Sequence, residues 1–147
     1  MLDIKLIRTN PEIVKDNIKK KFQEEKLALV DKVVELDKRY REIKVECDNL
    51  RNQRKTKSKE IGGLMSKGLK DDAEKIKSEV GEIGKKLAEL EELEVKMEGE
   101  IREIMLVIPN IIDESVPIGR DDSENVEVER FGDPYVPEFE VPYHVDI

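Results

Sequence analysis

The sequence predicts an all-α fold. We expect a long antiparallel two-helix coiled-coil hairpin on a short N-terminal helical cap, followed by a mostly irregular, partly β C-terminal connector. Three observations predict it. Apolar residues recur in two long heptad stripes, a glycine-rich stretch separates the stripes, and five of the six prolines lie beyond residue 108. Composition agrees: 42% of the 147 residues are charged, only 4% are aromatic and none is Trp. That supplies too little bulk for a compact core and suits a rod with an apolar seam.

Residues 1–28 read as the helical cap. Asn10 is a favourable N-cap residue, Pro11 suits the first helical position, and Glu12 complements the helix dipole. Ile13, Val14, Ile18 and Phe22 give this helix an apolar side. The run Lys19, Lys20, Lys21 reads most simply as a solvated face, with nucleic-acid contact as the alternative.

Residues 29–108 form the predicted hairpin, with its turn near 62–68. Leu29, Val33, Leu36, Tyr40, Ile43, Cys47 and Leu50 alternate in steps of four and three, the a/d pattern of a coiled coil. Past the pair Gly62-Gly63 a second stripe runs through Leu69, Ala73, Ile76, Val80, Ile83, Leu87, Leu90, Met97, Ile101, Ile104 and Ile108, with Glu94 as a polar interruption. Two such seams joined by a short turn make an antiparallel pair, each helix roughly 50–55 Å long. Counting outward from the turn sets Ile61 against Leu69, Leu50 against Val80 and Cys47 against Ile83. It also places Arg54 against Ile76 and Lys57 against Ala73, so the seam turns basic toward its tip. Gly81, Gly84 and Gly99 inside the second helix mark either tight packing, neutral exposed sites, or points of bending.

Residues 109–147 read as a connector. Pro109, Pro117, Pro134, Pro137 and Pro142 end helical continuity, and the alternation of Val126 and Val128 with Glu127 and Glu129 within Asn125 to Phe131 is a weak strand signal. The net charge of −8 resides here: residues 109–147 hold 11 acids against Arg120 and Arg130, whereas residues 1–108 are nearly balanced.

These features exclude several functions. No apolar run approaches the roughly 20 residues of a membrane span, so no membrane partner is expected. A single cysteine, Cys47, allows no internal disulfide and points to a reducing, cytoplasmic compartment; at a seam position it reads as a small core residue. With His144 the only histidine, neither a Cys/His zinc site nor a Cys–His dyad is expected. No catalytic, metal or cofactor residue is assigned within the chain.

The chemistry that stands out lies at the hairpin tip. Residues 51–70 carry Arg51, Arg54, Lys55, Lys57, Lys59, Lys67 and Lys70 against the single acid Glu60, with Asn52 and Ser58 among the uncharged donors between them. A long rod with a basic end and few aromatics suits phosphate-backbone contact, which reads shape and position rather than bases. Gly63 and Gly68 are spaced like a phosphate loop, but Leu69-Lys70 follows and a helix precedes, so a helix–helix turn explains them.

Three stretches carry a resemblance. The opening Met1 to Val14 (MLDIKLIRTNPEIV), the hairpin with Arg51-Asn52 and Ser58 to Gly62 (SKEIG), and the tail are each similar to seryl-tRNA synthetases. In the tail the matching motifs are Ile108 to Ile111 (IPNI), Ser115 to Gly119 (SVPIG), Glu124 to Val128 (ENVEV) and the closing His144 to Ile147 (HVDI). The resemblance implies an N-terminal arm that holds tRNA(Ser) by its long variable arm and elbow. A class II catalytic domain, which serylates the tRNA with ATP and Mg and forms the homodimer, would follow beyond residue 147. This stretch by itself is then expected to be non-catalytic, cofactor-free and monomeric. Arg51, Asn52, Arg54, Lys55, Lys57, Ser58, Lys59, Lys67 and Lys70 are its expected tRNA-binding residues. The competing expectation is a coiled-coil protein-interaction module such as a prefoldin-like chaperone arm, whose tip would expose apolar rather than cationic side chains.

Overall fold

The computed structural model describes residues 2–133 and 135–146; the break expected at Pro134 lies outside them. The chain divides into two units, Met1–Val116 and Pro117–Ile147.

Among its described residues the first unit holds four α-helices: α1 (Ile4–Thr9), α2 (Pro11–Lys20), α3 (Leu27–Ser66) and α4 (Lys70–Val107). Asp3 caps α1 by accepting the Lys5 N–H at 2.8 Å. Asn10 is the N-cap residue of α2, as expected, but without a side-chain cap bond. It is shared between two helices: its own N–H closes α1 onto the Leu6 carbonyl at 2.8 Å. Pro11 still opens α2, where its missing N–H costs no hydrogen bond.

Helices α3 and α4 are 40 and 38 residues long, which makes each a rod of about 60 Å. They pack against each other as the predicted antiparallel hairpin. The turn, however, is at Lys67–Leu69, and α3 runs uninterrupted through Gly62 and Gly63. A Schellman motif ends α3: Leu69 N–H bonds the Leu64 carbonyl at 3.1 Å and Gly68 N–H bonds Met65 at 3.2 Å. That motif needs a left-handed residue, and Gly68 supplies it at φ 77°. Gly62 and Gly63 lack any such demand and stay helical. Moving the turn by about one helical turn changes the register. Cys47 and Leu50 share a cluster with Leu87, fringed by Ile43, Ile83 and Leu90, and Lys57 meets Glu79 rather than Ala73.

Most apolar burial lies at the base. Ile7, Val14 and Ile18 of the cap pack with Val30 and Val33 of α3 and with Ile101, Met105 and Ile108. Each such side chain contributes roughly 1.5–3 kcal/mol over its exposed state. Farther out the seam thins: past Leu50 and Leu87, Ala73 is the only buried apolar residue, while Ile61, Leu64, Ile76 and Val80 are half-exposed.

Two buried polar residues fasten the base. Asp37, 3% exposed, accepts Arg8 Nε at 2.9 Å, Arg8 Nη2 at 2.8 Å and Arg41 Nε at 3.0 Å. The paired guanidinium of Arg8 holds its carboxyl below the usual range, against the opposing effect of burial. Asn17, equally buried, donates Nδ2–H to the Asn110 carbonyl at 3.0 Å and accepts the Ile112 N–H at 2.7 Å. The compact unit that holds this clamp extends past Pro109 to Val116.

In the second unit the described residues form two single 3-10 turns, Asp122–Glu124 and His144–Asp146. The expected β element at Asn125 to Phe131 is absent: no strand forms among the described residues. An alternating segment with no partner strand has no ladder to join, and Val126 and Val128 remain exposed.

Candidate nucleic-acid interface

The candidate residues occupy the last four turns of α3, the turn itself and the first residue of α4. From Arg51 to Ser66 the helix covers about 22 Å. At about 100° per residue, Arg51, Lys55, Ser58 and Lys59 project from one flank of α3. That flank is identified by Arg51, whose Nη2 reaches Glu91 of α4 at 2.8 Å. Stepping back from Glu91 by heptads along the same side of α4 leads to Gly84, Lys77 and Lys70. Lys57 projects from the opposite flank, toward Glu79. Arg54 is exposed, and Asn52 and Thr56 line a shallow groove with Gln53, Lys57 and Glu60.

The cations differ in how far they are committed. Arg51 holds two carboxylates, Asp48 at 2.7 Å and Glu91 at 2.8 Å, and these raise its pKa, Glu91 foremost. Lys57 is held by Glu79, which raises its pKa in the same way, and its stem is half-buried over the thin distal seam. By contrast Arg54, Lys55, Lys59, Lys67 and Lys70 are all exposed and form no ion pair among the described residues. Ser58 is exposed beside them. The middle of the rod carries ion pairs as well. There Lys44 meets Glu94 at 3.9 Å, Lys86 meets Glu46 at 2.6 Å and Lys85 meets Glu82 at 3.0 Å. Cations without an ion pair among the described residues also occur nearer the base, at Lys32, Lys38, Arg39, Lys96 and Arg102; the free end is set apart by holding seven cations against the single acid Glu60 in residues 51–70.

The structure therefore divides the nine expected residues. Five cations and Ser58 are available at the surface, Asn52 borders the groove, and Arg51 and Lys57 cross-link the two helices. The residues that sequence reasoning passed over are Asp37 and Asn17, which fix the base from which the rod projects. The sequence signal at Asp37 is Arg41 four residues on, a spacing that exposed Glu35 and Arg39 share, so it does not single out the buried acid. Asn17 carries no such signal.

Fold and site together define a helical-hairpin arm: a long rod, rooted in a small cap, with exposed cations free of ion pairs at its turn. The family model for the seryl-tRNA synthetase N-terminal domain matches residues 1–112. The chain belongs to that family. A serine–tRNA ligase from Methanoculleus marisnigri is 39% identical over 144 residues, covering 98% of this chain and 33% of the relative. One from Clostridium tetani is 38% identical over 147 residues, all of this chain and 34% of the relative. Among solved structures, seryl-tRNA synthetase from Pyrococcus horikoshii complexed with ATP superposes with a TM-score of 0.77 at 38% identity, over 86% of this chain and 28% of that one. The cytoplasmic enzyme from Naegleria fowleri in complex with AMP gives 0.69 at 26% identity, over 92% of this chain and 36% of that one. The chain spans about a third of the length of the curated relatives it matches.

Proposed function

We propose that this chain is the tRNA-recognition arm of a serine–tRNA ligase, positioning tRNA(Ser) by its long variable arm and elbow. The observation that carries the reading is the set of five exposed, ion-pair-free cations, Arg54, Lys55, Lys59, Lys67 and Lys70, at the end of a rod of about 60 Å. Phosphates passing along the flank of Lys55, Ser58 and Lys59 meet cations and a hydroxyl in succession, and Lys70 extends that row from α4. Asn52 adds an uncharged donor on the outer face. Arg51 and Lys57 take part by holding the two helices in register, because recruiting either to RNA breaks a bond to Glu91 or Glu79. A chaperone tip needs an apolar surface, and this one offers only Met65 and Leu69 beyond its cations.

Serylation itself, with ATP and Mg, belongs on this reading to the part of the relatives that the chain does not span, as does homodimerisation. The hairpin closes its own seam within one chain, which supports a monomer for residues 1–147. No helix among the described residues is long and apolar enough to cross a membrane, and we place the enzyme in the cytoplasm with other tRNA-charging machinery. The test is gel-shift binding to tRNA(Ser) and to a tRNA with a short variable arm. Preference for tRNA(Ser), together with a log–log salt slope of several units, supports the reading. Equal affinity for both removes the variable arm from it.

A further inference from the structure

The outer side of α3 near the turn is not uniformly cationic. At about 100° per residue, its surface passes from Lys55 and Lys59 through Asn52 and Thr56 to Glu60 and Gln53. The last four, with Lys57, line the shallow groove on the flank away from the cationic row. Asn52, Gln53 and Thr56 are exposed, and none of their side chains forms a hydrogen bond among the described residues. Glu60 is the single acid of residues 51–70, and it lies on this flank. It forms no ion pair among the described residues, but its charge reaches Lys57, where it adds to the stronger effect of Glu79 in raising that lysine's pKa. The one cation of the groove is thus already answered by two acids of the protein.

A groove of this composition is unsuited to phosphate, because Lys57 is engaged and Glu60 repels a further anion. It suits neutral groups that both donate and accept, since the two amides and the hydroxyl do both and the carboxylate accepts. The ribose 2′-hydroxyl is such a group. In an RNA double helix it lines the wide, shallow minor groove, with the phosphates along the edges. The outer side of α3 has the same order, cations first and neutral donors next. We propose that Asn52, Gln53, Thr56 and Glu60 read the 2′-hydroxyls of a double-stranded RNA stem whose phosphates meet Lys55 and Lys59. From Gln53 to Glu60 the strip covers about 10 Å of α3. It makes the arm selective for RNA over other polyanions, which a cationic row by itself attracts without distinction. Glu60 also fixes which flank of the rod faces the backbone, since turning the arm over presses phosphates against a carboxylate. The inference rests on the tRNA reading above and names the part of the RNA that the second flank of the same site takes.

The test uses the full chain and two tRNA(Ser) molecules. One has ordinary riboses, and the other carries 2′-fluoro sugars in the long variable arm, which keep the helix shape and lack the hydroxyl. We expect the original chain to bind the ribose form about tenfold more tightly, as a few net hydrogen bonds allow. Gln53→Ala with Thr56→Val should reduce that preference to about twofold or less while leaving the salt slope unchanged, because no phosphate contact is lost. Thr56→Ser alone keeps the hydroxyl and should keep the preference. Lys55→Gln with Lys59→Gln should do the reverse, weakening both tRNAs alike and flattening the log–log salt slope by about 1.5. Equal binding of the two tRNAs by the original chain overturns the proposal, as does a Gln53→Ala, Thr56→Val chain that keeps the full preference. Those results leave the cationic row intact as a site, whereas failure of the original chain to bind either tRNA defeats the tRNA reading and this inference with it.

Discussion

Replacing Asp37 by Ala removes the carboxylate that joins α1 to α3. Three charge-assisted bonds are lost, two from Arg8 and one from Arg41. Bonds of this kind contribute about 1.5–3 kcal/mol each in favourable settings. The full sum does not apply here, because the Arg8 and Arg41 side chains are 35% and 51% exposed and can turn to water once released. Asp37 itself is 3% exposed, so a small void replaces it. Together these set the expected cost at about 2–4 kcal/mol. Protonation should imitate the substitution. The pKa of Asp37 is depressed in the folded chain, so its contribution is fully present above the unfolded value near 3.9 and is lost as pH falls through the folded value. Urea unfolding followed by helical circular dichroism at pH 7 and through the acid range measures both effects. Asp37→Ala should lower the midpoint at pH 7, and the difference from the original chain should shrink as the folded Asp37 is protonated. A cost below about 0.5 kcal/mol, or a difference independent of pH, would refute the assignment of Asp37 as the basal tie.

Other outcomes follow from the same structure. Gly81 and Gly84 have open space where a Cβ would stand, so Gly81→Ala and Gly84→Ala should each raise stability by about 1 kcal/mol in urea melts; destabilisation would show a packing role. Leu87→Ala should cost about 2–5 kcal/mol, because Leu87 fills the seam between Cys47 and Leu50. Asn17→Ala leaves the Asn110 carbonyl and the Ile112 N–H without their partner, and should cost about 1–3 kcal/mol while making residues 109–116 more susceptible to proteolysis. Amide exchange should be fastest around the turn and slowest around residues 30–50, following the density of buried side chains.

The rod was legible because its signal is additive: heptad steps repeated from Leu29 to Leu50 and from Ala73 to Ile108 permit one pairing mode. The place of the turn was not. Gly62-Gly63 and Gly68 compete as breakers in the sequence, and only the hydrogen bonding of a Schellman turn, which needs one left-handed residue followed by Leu69, decides for Gly68. That choice then propagated into the register. The strand expected around Val126 failed for a similar reason, since alternation describes a face and not the partner that makes it a sheet. At the candidate site the residue types were legible but their commitments were not. Arg51 and Lys57 look like Lys55 and Lys59 in the sequence, and only the facing positions of Glu91 and Glu79 on α4 separate them. Phe22 reads in the sequence as part of the apolar side of α2, yet it lies past the end of that helix at φ 54°, because a backbone angle leaves no mark in a single sequence.

The claim on which the account turns is that ion-pair-free cations at the turn carry RNA affinity, and its direct test is a matched pair of charge removals. Lys55→Gln, Lys59→Gln, Lys67→Gln and Lys70→Gln together should weaken binding to tRNA(Ser) at least tenfold and flatten the log–log salt slope by about three units, since each phosphate contact contributes about 0.7–0.9. Lys→Gln hardly changes helix propensity, so circular dichroism should show the rod intact. Lys75→Gln with Lys85→Gln removes cations already held by Asp72 and Glu82 on the exposed side of α4. That control should change affinity less than twofold, whereas generic attraction would predict about the same loss per charge as at the tip. Equal losses per charge from tip and control, with parallel salt slopes, would contradict the account.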